Sequence, residues 1–290
     1  MVAFLAHGSQ NSLCQTTMLA VERLHPFRDH PYYVRNDAEM DALAESIREH
    51  GILSPLIVRP LEDAPGDYEV VSGHRRLFAA KAAGLREVPA MIRSLDRDAA
   101  AIALVDSNLH REHILPSEKA FAYKMKRDAL SHQGTTSPQL GEKLTVEEVG
   151  RGFGDSKNQV LRYIRLTHLS RSLLNLVDEG QIALTPAVEL SFLTESEQAD
   201  LAEAIAYAGA TPSLSQAQQM KRLSQEGRLT AREMERILSE PKPNQREQLR
   251  LRRDDLKRFF PADCSDEQMK RDILRGLELL HKQRSRGQER

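Results

Sequence analysis

The run Tyr68-Glu-Val-Val-Ser-Gly-His-Arg-Arg-Leu-Phe-Ala-Ala-Lys-Ala-Ala-Gly-Leu-Arg-Glu-Val-Pro-Ala-Met-Ile92 restricts the possible folds more than any other stretch of the chain. Tyr68, Val70 and Val71 are strand formers, and the extended run stops at Ser72-Gly73. From His74 to Ala83 the Ala-, Leu- and Lys-rich composition favours helix. Gly84 stands where a helix C-terminus takes a residue with positive φ, and Val88 to Ile92 has the make-up of a second short strand. The expected unit is strand, glycine, helix, strand. A strand that turns through glycine into a helix leaves backbone N–H groups unpaired, and with the helix dipole these attract anions. Arg75 and Arg76 stand in the first helical turn, where two cations oppose the dipole unless an anion offsets them. That physics leaves two readings open: a polyphosphate held at the turn, or two solvated arginines on an exposed helix.

Gly73-His74-Arg75-Arg76-Leu77-Phe78-Ala79-Ala80 resembles the Gly-Glu-Arg-Arg-x-x-Ala-Ala box of the ParB partition-protein family, with His74 in place of the usual Glu. Related sulfiredoxins carry Gly-Cys-His-Arg at this turn; Ser72-Gly73-His74-Arg75 has no cysteine, which excludes thiol-based reductase chemistry there. Other segments resemble the family in the same order. His25-Pro26-Phe27-Arg28 replaces its Asn-Pro-x-Gln-Pro-Arg box. Against its Glu-Asn-x-Gln-Arg box, Asn108 and Arg111 match and Ser107 takes the Glu position. The resemblance implies an N-terminal domain that binds CTP with Mg²⁺, the phosphates lying on Gly73, His74, Arg75, Arg76, Asn108 and Arg111. Asn108 would also supply an oxygen to the cation, as a hard ion requires; its other reading is a simple cap on a helix end. A serine cannot replace a carboxylate as base, though Asp106 is adjacent, so binding is better supported than CTP hydrolysis.

Asn36-Asp-Ala-Glu39 has capping-box spacing, followed by an apolar stripe of Met40, Leu43, Ala44 and Ile47 that Gly51 closes. Leu56-Ile-Val58 reads as a strand, Asp96 to Leu109 as a helix, and Ser117 as the N-cap of a helix reaching about Ser131. Thr145 to Gly150, a turn Gly152-Phe-Gly-Asp155 and a helix from Ser156 to about Thr167 then have the layout of a helix-turn-helix. Val160, Leu161 and Ile164 would be its buried side. Ser156, Lys157, Asn158, Gln159, Arg162 and Arg165 would meet DNA, because Arg or Lys reads guanine and Asn or Gln reads adenine. The other reading of that polar face is a solvated one. Gly154-Asp-Ser-Lys-Asn-Gln-Val160 and Ile164-Arg-Leu166 resemble the Gly-x-Ser-x-x-x-Val and Leu-Arg-Leu pattern that ParB proteins carry at this distance from the nucleotide box.

Net charge is −1, so bulk electrostatics do not announce nucleic acid; the basic charge is local. Arg151, Lys157, Arg162, Arg165 and Arg171 face Asp155 alone, and basic residues outnumber acids again between Lys242 and Arg258. Val2 to Ala6 is too short for a signal-peptide core, and no segment approaches membrane-spanning length. Cys14 and Cys264 form neither a metal motif nor a disulfide framework. The expectation is a cytoplasmic, nucleoid- or plasmid-associated protein with no membrane partner.

The expected fold is an α+β ParB/sulfiredoxin-like N-terminal domain, an all-α helix-turn-helix domain and a small helical C-terminal segment. The boundaries fall at 1–20 (disordered or a mis-annotated start), 21–112, 113–239, a linker at 240–250, and 251–290 for possible self-association. Helices are expected at about 195–208, 213–225 and 230–239, and the resemblance covers roughly 21–195. It implies partition of a plasmid, integrative element or chromosome, with double-stranded DNA, a Walker-type partition ATPase and a second copy of the chain as partners. Two alternatives belong to other classes: a transcriptional or replication regulator with a silent nucleotide pocket, and a phosphotransferase or nuclease on the ParB/sulfiredoxin fold.

Overall fold

Consecutive valines at 70 and 71 must point to opposite faces of a strand, so burying both requires a sheet covered on two sides. The computed structural model describes residues 16–34, 36–108, 111, 113–133, 146–240, 259–260, 264–265, 268–269 and 271–277. Its sheet contains β1 (Thr16–Ala20), β2 (Leu24–Pro26), β3 (Leu56–Pro60), β4 (Tyr68–Ser72) and β5 (Glu87–Ile92). Their order is β1-β5-β3-β4-β2, with β1/β5 and β3/β4 antiparallel and β3/β5 and β2/β4 parallel. One face packs on α1 (Ala38–His50) and α2 (His74–Ala82), where Val70 meets Met40, Ile47, Leu56 and Leu77. The other face packs on α3 (Arg97–Ser107) and α4 (Pro116–Gln133), where Val71 meets Phe27, Leu104, Val105 and Ala122.

The helix at 146–151 (α5) is followed by α6 (Lys157–Leu166), α7 (Arg171–Asp178), α8 (Leu184–Leu190), α9 (Glu195–Ala208), α10 (Leu214–Gln225) and α11 (Ala231–Ser239). Leu166, Leu173, Leu190, Leu201, Met220 and Met234 fill the core of this half. Gln198 is buried there and spends its amide on the Ser170 N–H and the carbonyls of His168 and Leu193. Contacts divide the chain into one unit over 1–240 and another over 241–290. Within the first unit, α4 serves two cores: Ala122 and Ala129 pack with α3, whereas Ala120 and Tyr123 pack with the helices that follow. In the second unit, residues 268–269 and 271–277 are helical, with Met269 buried and Leu277 exposed. The expected linker beyond Glu240 lies outside the described residues. No described helix is long and apolar enough to cross a membrane.

Four expectations need correction. Residues 16–20, assigned to a disordered start, form edge strand β1, which the alternation missed because Leu19 is its one buried side chain. The N-cap of α1 is Asp37, whose carboxylate takes the Met40 N–H at 3.0 Å, not Asn36. Ser117 lies inside α4 rather than capping it; Pro116 opens the helix, a position where its missing N–H costs nothing. Leu161 is exposed, and Leu166 replaces it in the buried side of α6.

Candidate functional site

Gly73 turns β4 into α2 with φ 104° and ψ 25°, the left-handed region that glycine adopts without strain. A β-carbon there would lie 3.1 Å from Arg76 Nη2 and 3.2 Å from Leu56 Cγ, so no side chain fits without a shift beneath it. Arg76 folds under the turn and donates to the carbonyls of Ser54 and Pro55, the latter at 3.1 Å. Arg75 pairs with Glu39 at 3.2 Å. The Glu39 side chain is 79% exposed, so this pair is weak and an incoming polyanion can displace it.

A cavity of about 290 Å³ opens at the turn, lined by Ser72, Gly73, His74 and Arg75 from one side and by Ser107, Asn108 and Arg111 from the other. Of the residues expected to bind phosphate it brings together Gly73, His74, Arg75, Asn108 and Arg111; Arg76 is not part of its wall. A second cavity of about 410 Å³ shares Arg75 and Arg111 and adds Asp37, Glu39 and Glu118. Asn108 donates through Nδ2 to the Leu104 carbonyl at 2.9 Å, so it does cap α3, and the amide oxygen is the end left for a cation. Ser107 donates to the same carbonyl, and Asp106 is tied to Lys126 at 2.6 Å. No Asp or Glu lines the cavity at Gly73 among the described residues, so a divalent cation there would be carried chiefly by phosphate oxygens.

Four residues of this wall were not anticipated: His30, Tyr32, Tyr33 and Val34. His74 receives the Phe27 N–H at 3.3 Å and lies against His30 with ring centroids 3.8 Å apart and the planes tilted by 48°. Burial, then the neighbouring His30, pushes the His74 pKa down to about 3. Burial also lowers His30 from its usual value, with Arg111 acting in the same direction. Tyr32 is 4% exposed, and its hydroxyl is a buried polar atom with no hydrogen-bond partner among the described residues. Such groups are few in folded proteins. The glycine turn and the two arginines, Arg75 and Arg111, fit a polyphosphate.

Glu118 connects this wall to the helices downstream. It is 3% exposed, takes the N–H groups of Tyr33 (2.8 Å) and Leu115 (3.0 Å), and lies 3.9 Å from Arg111. The next residue along, Lys119, holds Asp155 at 2.7 Å, and Tyr123 donates to the same carboxylate at 2.5 Å. Asp155 ends the turn between α5 and α6. Ser156 caps α6 by accepting the Gln159 N–H at 3.3 Å. Ser156 and Asn158 are exposed, while Lys157, Gln159 and Arg162 are half-buried. Arg162 rests on the Thr185 hydroxyl. Arg165 is more firmly held, donating to the Ser191 hydroxyl and carbonyl at 3.0 and 2.9 Å and stacking on Phe192 at 4.0 Å. It ties α6 to the end of α8.

Fold and site together define an α+β domain with a glycine turn at a cavity, joined through α4 to the α5–turn–α6 helix pair. Residues 6–109 match the family model of the ParB N-terminal domain. The chain is 40% identical over 174 residues to the probable chromosome 1-partitioning protein ParB of Deinococcus radiodurans, covering 60% of this chain and 54% of that one. It is 39% identical over 163 residues to the chromosome-partitioning protein Spo0J of Thermus thermophilus, covering 56% and 54%. These matches span about half the length of the relatives. A solved structure of C-terminally truncated Caulobacter crescentus ParB complexed with CTP-γ-S matches at 28% identity over 66% of this chain and 99% of that one, with a TM-score of 0.32. These sequence matches show that residues 6–109 form a ParB N-terminal domain and that the chain is similar to ParB and Spo0J partition proteins over a longer stretch.

Proposed function

We propose that the chain is a partition protein that binds CTP at Gly73 and a specific double-stranded DNA site through α6. One observation carries the nucleotide part: Gly73, Arg75, Asn108 and Arg111 line a single cavity. Arg75 and Arg111 would grip phosphate oxygens, and Asn108 would offer its amide oxygen to a magnesium ion carried on them. Arg76 would act from below, fixing the turn through Ser54 and Pro55. Turnover should be slow, because Ser107 and Asp106 are both committed to structural partners.

The DNA part rests on α6, where Ser156, Lys157, Asn158, Gln159 and Arg162 stand at or near the exposed N-terminal face, with Arg165 as a support. Nucleotide binding would release Arg111 from Glu118 and bias α4, which touches both the pocket and the α5–α6 turn. A second copy of the chain, a Walker-type ATPase and a plasmid or chromosomal replicon are the partners that similarity to ParB proteins suggests. A regulator with a silent pocket is the second reading, favoured by the Glu39 and Glu118 carboxylates that already accompany Arg75 and Arg111.

Two substitutions separate the functions. Arg75→Ala should abolish CTP binding in calorimetry while specific DNA affinity stays within about twofold, since a distant surface change costs little. Arg162→Ala should weaken specific DNA binding by roughly 1–3 kcal/mol and leave CTP affinity unchanged. Unaltered CTP binding in the first variant would remove the phosphate assignment.

A further inference from the structure

The two adjoining histidines at the cavity have unequal freedom to ionise. His74 Nε2 accepts the Phe27 N–H, so that nitrogen carries no proton and the ring is held neutral. His30 is arranged the other way round. Its Nδ1 lies 2.7 Å from the Tyr32 carbonyl, which can only accept, so Nδ1 bears the proton. The remaining nitrogen, Nε2, is a bare acceptor while the ring is neutral, on a residue whose cavity wall otherwise offers Arg75 and Arg111 to an anion. A lone pair there repels a phosphate oxygen, whereas a protonated Nε2 donates a charge-assisted hydrogen bond.

We propose that His30 is a phosphate ligand that becomes charged on binding, its Nε2 taking one proton from solvent as the polyphosphate enters. The proposal rests on the nucleotide reading above and adds a residue to it. Before binding, burial first and Arg111 after it oppose protonation of His30. Arg111 after α3 and Arg75 on α2 are cationic, His74 on α2 lies at 3.8 Å, and Glu118 on α4 is the acid that favours the proton. Tyr32, next in the loop, stays neutral, since burial raises its hydroxyl far above the ordinary range. Burial is the largest cause of the lowered His30 pKa in the free protein, ahead of these charges. A phosphate chain opposes that lowering by placing several negative charges beside the ring. The sign follows: affinity is greatest at low pH and declines as pH rises through the pKa that His30 has in the complex.

The test is calorimetry of CTP with Mg²⁺ on the full chain in two buffers of different ionisation enthalpy, from pH 6 to 8.5. Wild type should take up close to one proton more than His30→Gln, and its affinity should fall up to about tenfold per pH unit more steeply. His30→Gln carries the titration of the terminal phosphate itself and so subtracts it. Should that variant fold poorly, His30→Asn and the wild-type buffer pair give the same number. Equal proton counts in wild type and variant, or wild-type binding without uptake, overturn the proposal and leave nucleotide binding standing. Failure of CTP and of inorganic triphosphate to bind at any pH overturns both.

Discussion

Replacement of Gly150 by alanine is expected to reduce specific DNA affinity by roughly a thousandfold or more, to the non-specific level. Gly150 closes the turn before α6, the proposed recognition helix: its carbonyl accepts the N–H groups of Phe153 and Asp155, each at 3.1 Å. A β-carbon on residue 150 would fall against the Asp155 carbonyl oxygen and 3.0 Å from Val160 Cγ2. Asp155 cannot retreat freely, because Lys119 and Tyr123 hold its carboxylate from α4. The added methyl must therefore displace α6, and a displacement of about 1 Å is enough to misplace side chains that read base edges. The overpacking costs about 1–3 kcal/mol, so the protein should remain folded. DNA titrations should show the loss of specificity while CTP binding at Gly73, on the far side of α4, persists. Specific binding retained within threefold would mean that α6 is not the recognition helix.

Glu69→Ala is expected to destabilise the fold by about 3–5 kcal/mol, a large share of the roughly 5–15 kcal/mol typical of a domain. The Glu69 carboxylate accepts Arg59 Nε at 2.7 Å with the two side chains 5% and 7% exposed, and its other oxygen takes the Arg28 N–H at 2.8 Å. Removing it leaves a guanidinium buried without its anion and a backbone donor without an acceptor. Urea unfolding should show the loss as a lower midpoint. The double replacement Arg59→Met with Glu69→Leu should recover most of it, because an apolar pair removes the uncompensated charge. The Arg28 N–H remains as residual cost. Because that amide anchors the chain two residues before His30, the same variant should also weaken nucleotide binding.

Much of this architecture was legible in the residues, for reasons that can be named. The strand-glycine-helix unit at 68–84 was readable because composition switches sharply at one glycine, and α6 was readable because Ser156 and the Gly154 turn punctuate it. What escaped depended on tertiary contacts. Arg75 and Arg76 are neighbours of identical chemistry, yet packing sends one into the cavity wall and the other under the turn. Arg165 looks like a DNA ligand in sequence and is held by Ser191 and Phe192 from another helix. His30 and Tyr32 lie about forty residues before the glycine turn, in a loop whose ends are set by β2 and α1, and nothing local marked them as its partners. Glu118 follows a serine that reads as a cap, and its role depends on a loop 85 residues away.

The central claim is that the Gly73 cavity binds through the phosphate chain, and a comparison of CTP, CDP and CMP tests it most directly. With Mg²⁺ present, affinity should fall by roughly tenfold or more with each phosphate removed, as expected for charge-assisted hydrogen bonds lost to Arg75 and Arg111. Equal affinity for CTP and CMP, or no binding of CTP with or without specific DNA, would contradict the account.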